Sequence, residues 1–475
     1  MNRFVTRPDR IHGLVGQHVL ADGFHVAIDL HRSHGSWIVD AVSGREILDF
    51  YSYFATLPVG HNHPGLAGDP DFMSALTRAA VANPANSDIY SGEYAAFIET
   101  FARLAMPAHF RHLFFVAGGA LAVENALKTA FDWKRRRNLA AGKGDRGSQI
   151  VHFREAFHGR SGYTLSLTNT DPVKTEGFPT FSWPRVTNPK LSFPITAEVE
   201  AHTAALEQQA VAEIERAFAG HPDDIAAIII EPIQGEGGDN HFRAEFFAEL
   251  RRLADRHDAL LIFDEVQTGV GLTGRMWAYQ HFGVDPDILV FGKKTQVCGI
   301  MASARIDEAA GNVFATSSRI NSTWGGNLVD MVRCARYLEI INGERLAENA
   351  ARMGDRFLDG LSELASRHPA MSNVRGRGLF CAFTLPSAEQ RDRLRTALWE
   401  RGLATLASWP TSVRFRPCLN VTAAEIDAAL DRLDDGLSEL WATRRAPVHT
   451  GVAAAARASA PAGRAVARPV GVAGV

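Results

Sequence analysis

Between residues 110 and 295, short and continuously apolar runs alternate with longer segments of helical periodicity. The runs are His112–Val116, Gln149–Phe153, Ile225–Ile230, Leu260–Phe263 and Ile288–Phe291, and the helical segments are Ala120–Lys134, Ala210–Phe218 and Ala244–His257. A strand that is apolar on both faces must be covered on both sides, as in a parallel sheet with helices packed on each face. The alternation therefore predicts an α/β fold, with a large doubly wound and mostly parallel sheet.

The pattern changes after the segment TWGGN, and a second kind of domain is predicted there. A helical stretch from Leu328 to Ser366 is followed by strand-like segments at Gly378–Leu385 and Val413–Pro417 and by an amphipathic helix at Ala423–Trp441. We expect a large domain at 75–328 and a smaller α+β domain at 329–443, to which an N-terminal segment at 1–74 contributes. Residues 444–475 have no acidic or aromatic residue and are predicted to be a disordered tail.

Charge and cysteine content limit the class of partner. The 475 residues include 50 Lys and Arg against 53 Asp and Glu, so there is no excess of positive charge for binding nucleic acid. The four cysteines are widely scattered, which fits a reducing cytoplasm rather than a disulfide framework. We find neither a secretion leader nor an apolar run of the roughly 20 residues that a membrane span needs. The expectation is a soluble, cytoplasmic protein without a membrane or nucleic-acid partner.

Two of the predicted strands end in side chains that suggest chemistry. Leu260–Phe263 ends at Asp264, and the next apolar run ends at Lys293, 29 positions further along. If the two strands are parallel neighbours, the carboxylate and the amine lie side by side where a sheet opens to ligands. A lysine there can form a Schiff base, and a carboxylate beside it can hold a pyridinium nitrogen protonated, as pyridoxal 5'-phosphate requires. Lys294 is adjacent, and only one of the two lysines can point into the site.

Other motifs are weaker. Gly118-Gly119-Ala120 lies between a strand and a helix, where free backbone N–H groups suit a phosphate, although many α/β folds have such a turn. The segment 269–274 matches GxGxxG and suggests a nicotinamide dehydrogenase, but the acids that should follow the next strand precede it. His61 and His63 have no third ligand nearby in sequence, so no metal site is expected.

Seven segments together resemble the class III, or ω-type, aminotransferases, which are pyridoxal-phosphate enzymes of fold-type I. They lie at 118–134, 157–170, 231–243, 261–269, 291–299, 319–328 and 374–383, and the resemblance runs from about Leu20 to Trp441. The stretches FGKKTQVCG, NSTWGGN and GYTLSLTNT are most similar to members that use lysine. The resemblance implies transfer of the ε-amino group of L-lysine to 2-oxoglutarate, giving 2-aminoadipate 6-semialdehyde and glutamate. Ornithine, 4-aminobutyrate or a diamine is the alternative donor, and a non-catalytic protein on this fold would tend to lose Lys293 or Asp264.

Carried over residue by residue, the resemblance also implies roles at the cofactor. Lys293 would be the Schiff-base lysine and proton shuttle, and Asp264 would pair with the pyridine nitrogen. Phe157 would stack on the ring, and Gln267 would contact its phenolic oxygen.

The resemblance further implies a shared phosphate site. Gly119 and Ala120 would bind the phosphate through backbone N–H groups, and Thr323 would reach it from the partner subunit. That arrangement predicts an obligate homodimer with shared active sites.

The substrate-binding residues implied by the resemblance are Arg160, Gln267 and Arg414. Arginine forks suit carboxylates, and Arg416 is a rival because it is two residues from Arg414 on the same predicted strand. Glu236 would pair with Arg414 while lysine reacts and move away when 2-oxoglutarate binds.

Overall fold

The chain is described from a computed structural model, which covers residues 4–442. Its strands are β1 Trp37–Val39, β2 Glu46–Asp49, β3 Phe110–Val116, β4 Gln149–Phe153, β5 Arg185–Val186, β6 Ile225–Ile230, β7 Leu260–Asp264, β8 Ile288–Phe291, β9 Cys298–Ser303, β10 Ser372–Arg377, β11 Phe380–Thr384, β12 Leu403–Ala404, β13 Leu406–Ser408 and β14 Ser412–Phe415. The α-helices are Ile11–Val15, Pro64–Ala67, Pro70–Ala82, Gly92–Leu104, Gly119–Ala140, Gly162–Leu167, Ala197–Gly220, Ala244–Arg256, Leu328–Gly343, Leu346–Arg367, Ala388–Glu400 and Ala423–Ala442. The tail predicted at 444–475 lies outside the described residues.

The large sheet has seven strands in the order β3-β9-β8-β7-β6-β4-β5. All neighbours are parallel except β9, which runs antiparallel to both β3 and β8. The five predicted strands are all present, and the parallel pairing of β7 with β8 places Asp264 opposite Val290. The predicted fold class is confirmed. Strands β5 and β9 were not predicted, because β5 has two residues and β9 mixes small residues with only two large apolar ones.

The core explains why the central strands are apolar on both faces. Along β6, Ile228 packs into a cluster with Phe247 of the helix Ala244–Arg256, and Ile229 packs into a second cluster with Leu127 of the helix Gly119–Ala140. Each of these side chains is fully buried, a burial that contributes about 1.5–3 kcal/mol per large aliphatic residue. The sheet is thus held rigid beneath the loops that follow its strands.

Two smaller sheets complete the fold. One is antiparallel with the order β10-β11-β14-β13, and the other joins β1 and β2 from the N-terminal region to β12 by parallel pairing of β2 with β12. The stretch predicted as helical from Leu328 to Ser366 forms two helices, because Arg345 between them takes a left-handed backbone conformation with φ 54°. The domain limits at 1–74, 75–328 and 329–443 stay a prediction, with which the pairing of β2 and β12 agrees.

One turn in the N-terminal region has an unusual hand. Ser52, Tyr53, Phe54 and Ala55 have φ values of 40°, 52°, 60° and 66°, so they form a single left-handed turn of non-glycine residues. Each such residue costs roughly 1–2 kcal/mol relative to a right-handed conformation. The side chain of Asp49 compensates in part by accepting a hydrogen bond from the backbone N–H of Ser52, at 2.7 Å.

No helix among residues 4–442 combines the length and the apolar character that crossing a membrane requires.

Candidate active site

A cavity of about 560 Å³ opens where β7 and β8 end at the edge of the large sheet. It is the crevice at the carboxyl ends of parallel strands where α/β folds bind ligands. Nine of the ten predicted site residues line it: Gly119, Ala120, Phe157, Arg160, Glu236, Asp264, Gln267, Lys293 and Arg414. The tenth, Thr323, lies on the surface outside it, where its backbone oxygen accepts a hydrogen bond from Ser87 Oγ at 3.1 Å.

Lys293 is the lysine that faces the cavity. Its Nζ donates to the backbone oxygen of Phe54 at 3.1 Å, and its backbone has φ 53°, a left-handed conformation of the kind often held at functional sites. Burial, followed by two nearby guanidinium groups, lowers the pKa of Lys293 to about 8. Lys294 is buried beneath the cavity, and its Nζ donates to the backbone oxygen of Gln267 at 3.0 Å.

Asp264 is fixed by a buried histidine that the sequence did not single out. Asp264 Oδ2 lies 2.7 Å from Nδ1 of His158, and its Oδ1 accepts from the backbone N–H of Val266 at 3.1 Å. The His158 side chain has no exposed surface, and within residues 4–442 its Nε2 has no hydrogen-bond partner. The histidine thus sets the direction in which the carboxylate meets the cavity.

A second buried carboxyl group, that of Glu231, organises the wall of the cavity. Its Oε1 accepts from the backbone N–H of Phe157 at 2.9 Å, and its Oε2 accepts from that of Gly235 at 3.1 Å. Burial raises the pKa of Glu231 to about 7. Glu231 therefore positions both the aromatic ring of Phe157 and the loop that carries Glu236.

The start of the helix Gly119–Ala140, where a phosphate was predicted to bind, has no side-chain cap. Gly118, with φ 106°, precedes the helix, and no side chain caps it, so the first N–H groups have no partner within the helix. Gly159 passes so close that a Cβ there would lie 2.7 Å from the Cβ of Ala120. A helix N-terminus with free N–H groups is suited to a phosphate.

These groups fit pyridoxal 5'-phosphate. Lys293 offers an amine of lowered pKa for the aldehyde, Asp264 offers a fixed carboxylate for the ring nitrogen, and Phe157 offers an aromatic face for the ring. The helix N-terminus offers N–H groups to the phosphate.

The opposite end of the cavity is built from ion pairs. Arg414, on β14, donates from Nη2 to Glu236 Oε2 at 2.8 Å and from Nη1 to Gln267 Oε1 at 3.1 Å. Its rival Arg416 is fully buried and binds both carboxylate oxygens of Asp239, at 2.7 and 2.9 Å. Arg414 lines the cavity and Arg416 does not, so Arg414 is the arginine that a ligand there can reach.

Glu236 contacts a second cation, Lys174, which donates from Nζ to its Oε1. Burial acts to raise the pKa of Glu236, but Arg414 and Lys174 outweigh it and hold that pKa below its ordinary value. Glu236 is thus an anion bound on both sides.

Arg160 lies exposed at the rim of the cavity. Within residues 4–442 it makes no ion pair or hydrogen bond, so its guanidinium group is available to an entering carboxylate. Tyr53 and Phe54 of the left-handed turn line the same cavity from the side of Lys293.

Sequence reasoning did not single out His158, Glu231, Lys174 or Tyr53, each of which lines the cavity or contacts a residue that does. One of them had a usable signal, because Glu231 follows β6 directly, just as Asp264 ends the neighbouring β7. The other three follow no strand of the large sheet directly and come close to the cavity only through tertiary packing.

Comparison with known proteins agrees with this geometry. The family described as Aminotransferase class-III matches residues 20–437. The L-lysine-epsilon aminotransferase of Mycobacterium tuberculosis is 54% identical over 427 residues, covering 90% of this chain and 94% of that protein. The protein of the same name from Amycolatopsis lactamdurans is 50% identical over 426 residues, covering 89% and 94%. A solved structure of the lysine aminotransferase from M. tuberculosis, in the internal aldimine form, superposes with a TM-score of 0.90 at 53% identity, covering 92% of this chain and all of that one.

Proposed function

This chain belongs to the class-III aminotransferases and uses pyridoxal 5'-phosphate, and we propose that it transfers the ε-amino group of L-lysine to 2-oxoglutarate. The products would be 2-aminoadipate 6-semialdehyde, which cyclises, and glutamate. The observation that carries the proposal is the 50–54% identity, over nine tenths of the chain, to proteins named for lysine ε-amino transfer. The Arg414–Glu236 pair beside Lys293 supports it, because one site must then accept two differently charged reacting ends.

Lys293 is assigned to hold the cofactor covalently and to move the proton. The bound cofactor supplies an electron sink that acidifies the C–H bond next to the transferred nitrogen. Burial and the nearby guanidinium groups lower the pKa of Lys293, which favours the neutral amine that can accept that proton. Asp264, oriented by His158, keeps a proton on the ring nitrogen.

The remaining cofactor contacts are assigned to residues that line the cavity. Phe157, held by Glu231, covers a face of the ring, and the N–H groups of Gly119 and Ala120 bind the phosphate. Gln267 is assigned to the phenolic oxygen, while its own Oε1 accepts hydrogen bonds from Arg414 and Arg416.

The substrate end would work as a switch. The reacting end of lysine has no carboxylate, so Arg414 stays paired with Glu236 while lysine reacts. The reacting end of 2-oxoglutarate has a carboxylate, which takes Arg414 once Glu236 moves aside. Arg160 is assigned to the carboxylate at the far end of either substrate.

We further propose a homodimer in which Thr323 of each chain completes the phosphate site of the other. The support is a surface of exposed apolar side chains around Thr323 and the helix that carries Gly119. Ile89 is 71% exposed, Tyr90 74%, Leu121 45% and Trp324 42%. Sedimentation of the purified protein tests the dimer, and Thr323→Ala should weaken retention of the cofactor if the site is shared.

We propose a cytoplasmic location from the state of the cysteines. The four cysteines, Cys298, Cys334, Cys381 and Cys418, are free and buried, as expected in a reducing compartment. Cell fractionation with an antibody to the protein tests this assignment.

The decisive experiment supplies the purified enzyme with 2-oxoglutarate and, in turn, with L-lysine, ornithine, 4-aminobutyrate or a diamine. We expect kcat/KM to be highest with lysine and the cyclised product to appear with glutamate in a one-to-one ratio. If one of the other amines gave a higher kcat/KM, that amine would be the donor in place of lysine, and the reaction class would stay the same.

A further inference from the structure

Lys174 is a buried cation at the substrate end of the cavity to which the proposed mechanism gives no role. Its side chain is only 10% exposed, and it ends a short 3-10 turn, Pro172–Lys174, which the side chain of Asp171 caps. Its Nζ contacts Glu236 Oε1, lies 3.3 Å from Thr170 Oγ1 and sits 5.5 Å from the centre of the Phe157 ring. The ammonium group is therefore held in place behind the glutamate.

The two oxygens of Glu236 are divided between two cations. Oε2 binds Arg414 at 2.8 Å, and Oε1 binds Lys174. Arg416 does not change this local balance, because Asp239 neutralises it. Two positive charges thus face one negative charge, and the cluster is one anion short of balance.

A dicarboxylate substrate supplies the missing anion. When its carboxylate takes Arg414, Glu236 has to leave that arginine while it remains close to an incoming negative charge. With Lys174 present, the outcome is two ion pairs, one between Arg414 and the substrate and one between Lys174 and Glu236. Without Lys174, two carboxylates would share one arginine in a largely buried site, which is unfavourable.

We propose that Lys174 determines specificity for the dicarboxylate, by retaining Glu236 when the substrate displaces it from Arg414. The inference rests on the proposed function, because it presumes a dicarboxylate as the amino acceptor. Lys174 is assigned no contact with the amine donor, because the reacting end of that substrate leaves Glu236 paired with Arg414.

The test replaces Lys174 by Met, which keeps the length of the side chain and removes its charge, and by Gln as a second uncharged variant. Lys174→Arg retains the charge. Lys143→Met is the matched control, since Lys143 also binds a carboxylate, that of Asp223 at 2.7 Å, but lies outside the cavity. Thermal unfolding verifies that each variant is folded before it is measured.

Two quantities are measured with the cofactor-loaded enzyme. The first is the equilibrium dissociation constant of glutarate, a five-carbon dicarboxylate that has no carbonyl group and cannot accept the amino group. The second is the pair of single-turnover half-reactions, namely L-lysine with the cofactor-loaded enzyme, and 2-oxoglutarate with the aminated enzyme that the first half-reaction leaves.

We expect Lys174→Met and Lys174→Gln to weaken glutarate binding on the order of 10- to 100-fold, which is less than the loss of a direct partner in a buried charge pair, because Lys174 acts through Glu236. The half-reaction with 2-oxoglutarate should need a correspondingly higher concentration, and that with lysine should change by less than about threefold. Lys174→Arg and Lys143→Met should behave like the parent enzyme.

Equal changes in the two half-reactions, or unchanged glutarate binding in both uncharged variants, would overturn the role of Lys174. Failure of the parent enzyme to react with lysine or with 2-oxoglutarate would instead overturn the proposed function. The two failures are therefore distinguishable in the same set of measurements.

Discussion

The two ends of the cavity are built in different ways. The cofactor end stands on one rigid sheet, where Asp264 and Lys293 follow adjacent parallel strands and His158 locks the carboxylate through a 2.7 Å contact. At the substrate end, Arg414 comes from the small antiparallel sheet and binds Glu236, which lies on a loop and also binds Lys174 at the end of a 3-10 turn. Side chains fixed on a rigid sheet suit a group that stays bound, and exchangeable ion pairs suit a site that must accept two substrates in turn. Variants at the cofactor end should therefore affect both half-reactions alike, and variants at the substrate end should not.

The largest effect is expected from Lys293→Ala. Loss of the proton-transferring amine should slow both half-reactions by at least about 10⁴-fold, the upper range for general acid–base catalysis. Lys294→Met is the control, because that lysine is buried and does not line the cavity. Borohydride reduction followed by peptide mapping should place the cofactor on Lys293, and finding the label on Lys294 would refute the assignment.

Arg414→Leu should produce the strongest asymmetry. Removal of the guanidinium group should slow the half-reaction with 2-oxoglutarate by about 100- to 1,000-fold, since a buried charge pair with the substrate is worth several kcal/mol. The lysine half-reaction should change far less, because that substrate brings no carboxylate to this point. Arg160→Leu provides the comparison, and should weaken both substrates because each has a carboxylate at its far end. A symmetric loss in Arg414→Leu would contradict the division between the two ends.

Glu236→Ala tests the switch by removing the carboxylate that pairs with Arg414. Freeing Arg414 permanently should favour 2-oxoglutarate relative to lysine, and we expect the ratio of the two half-reaction rates to change by about tenfold or more. If the two rates change by the same factor, the switch fails. Glu236→Gln, which keeps the shape of the side chain, separates the loss of charge from the loss of packing.

His158→Gln should have a moderate effect that is equal in the two half-reactions. Because His158 acts through Asp264 at the cofactor end and contacts no residue assigned to a substrate carboxylate, we expect about a tenfold loss in each. The absorbance spectrum of the bound cofactor, recorded against pH, should change as well, since it reports protonation of the ring nitrogen. A spectrum like that of the parent enzyme, combined with unequal effects on the two half-reactions, would contradict the placement of His158 at the cofactor end.

The smallest effect concerns the pKa of Lys293 in the chain stripped of cofactor. Its pKa is lowered to about 8, so the neutral amine forms, and labelling by an acylating reagent should rise, as the pH increases through about 8. An ordinary lysine titrates near 10.4. Arg414→Leu removes one of the cations that disfavour the ammonium form, so the midpoint should move to higher pH. A midpoint that stays fixed or falls would show that burial alone sets the pKa.

Part of the site could be predicted from local sequence patterns. Asp264 and Lys293 were predicted because each directly follows a run of buried apolar residues, and the parallel pairing of β7 and β8 brings the ends of such runs together. Glu231 follows β6 by the same logic and could have been predicted too. The position of Thr323 outside the cavity leaves its role in a partner subunit a prediction.

The sequence alone determined the class of fold, the central strands and the cofactor end, because burial on both faces leaves a continuous apolar pattern and strand ends are set by where that pattern stops. Local patterns left Lys293 against Lys294 and Arg414 against Arg416 open, and only the resemblance favoured one of each. The tertiary structure brings Lys293 and Arg414 to the cavity and pairs Arg414 with Glu236, 178 positions away. Those placements depend on which way a side chain points and on which other side chain it meets. Both are properties of packing between distant segments, and neither leaves a periodic trace along the chain.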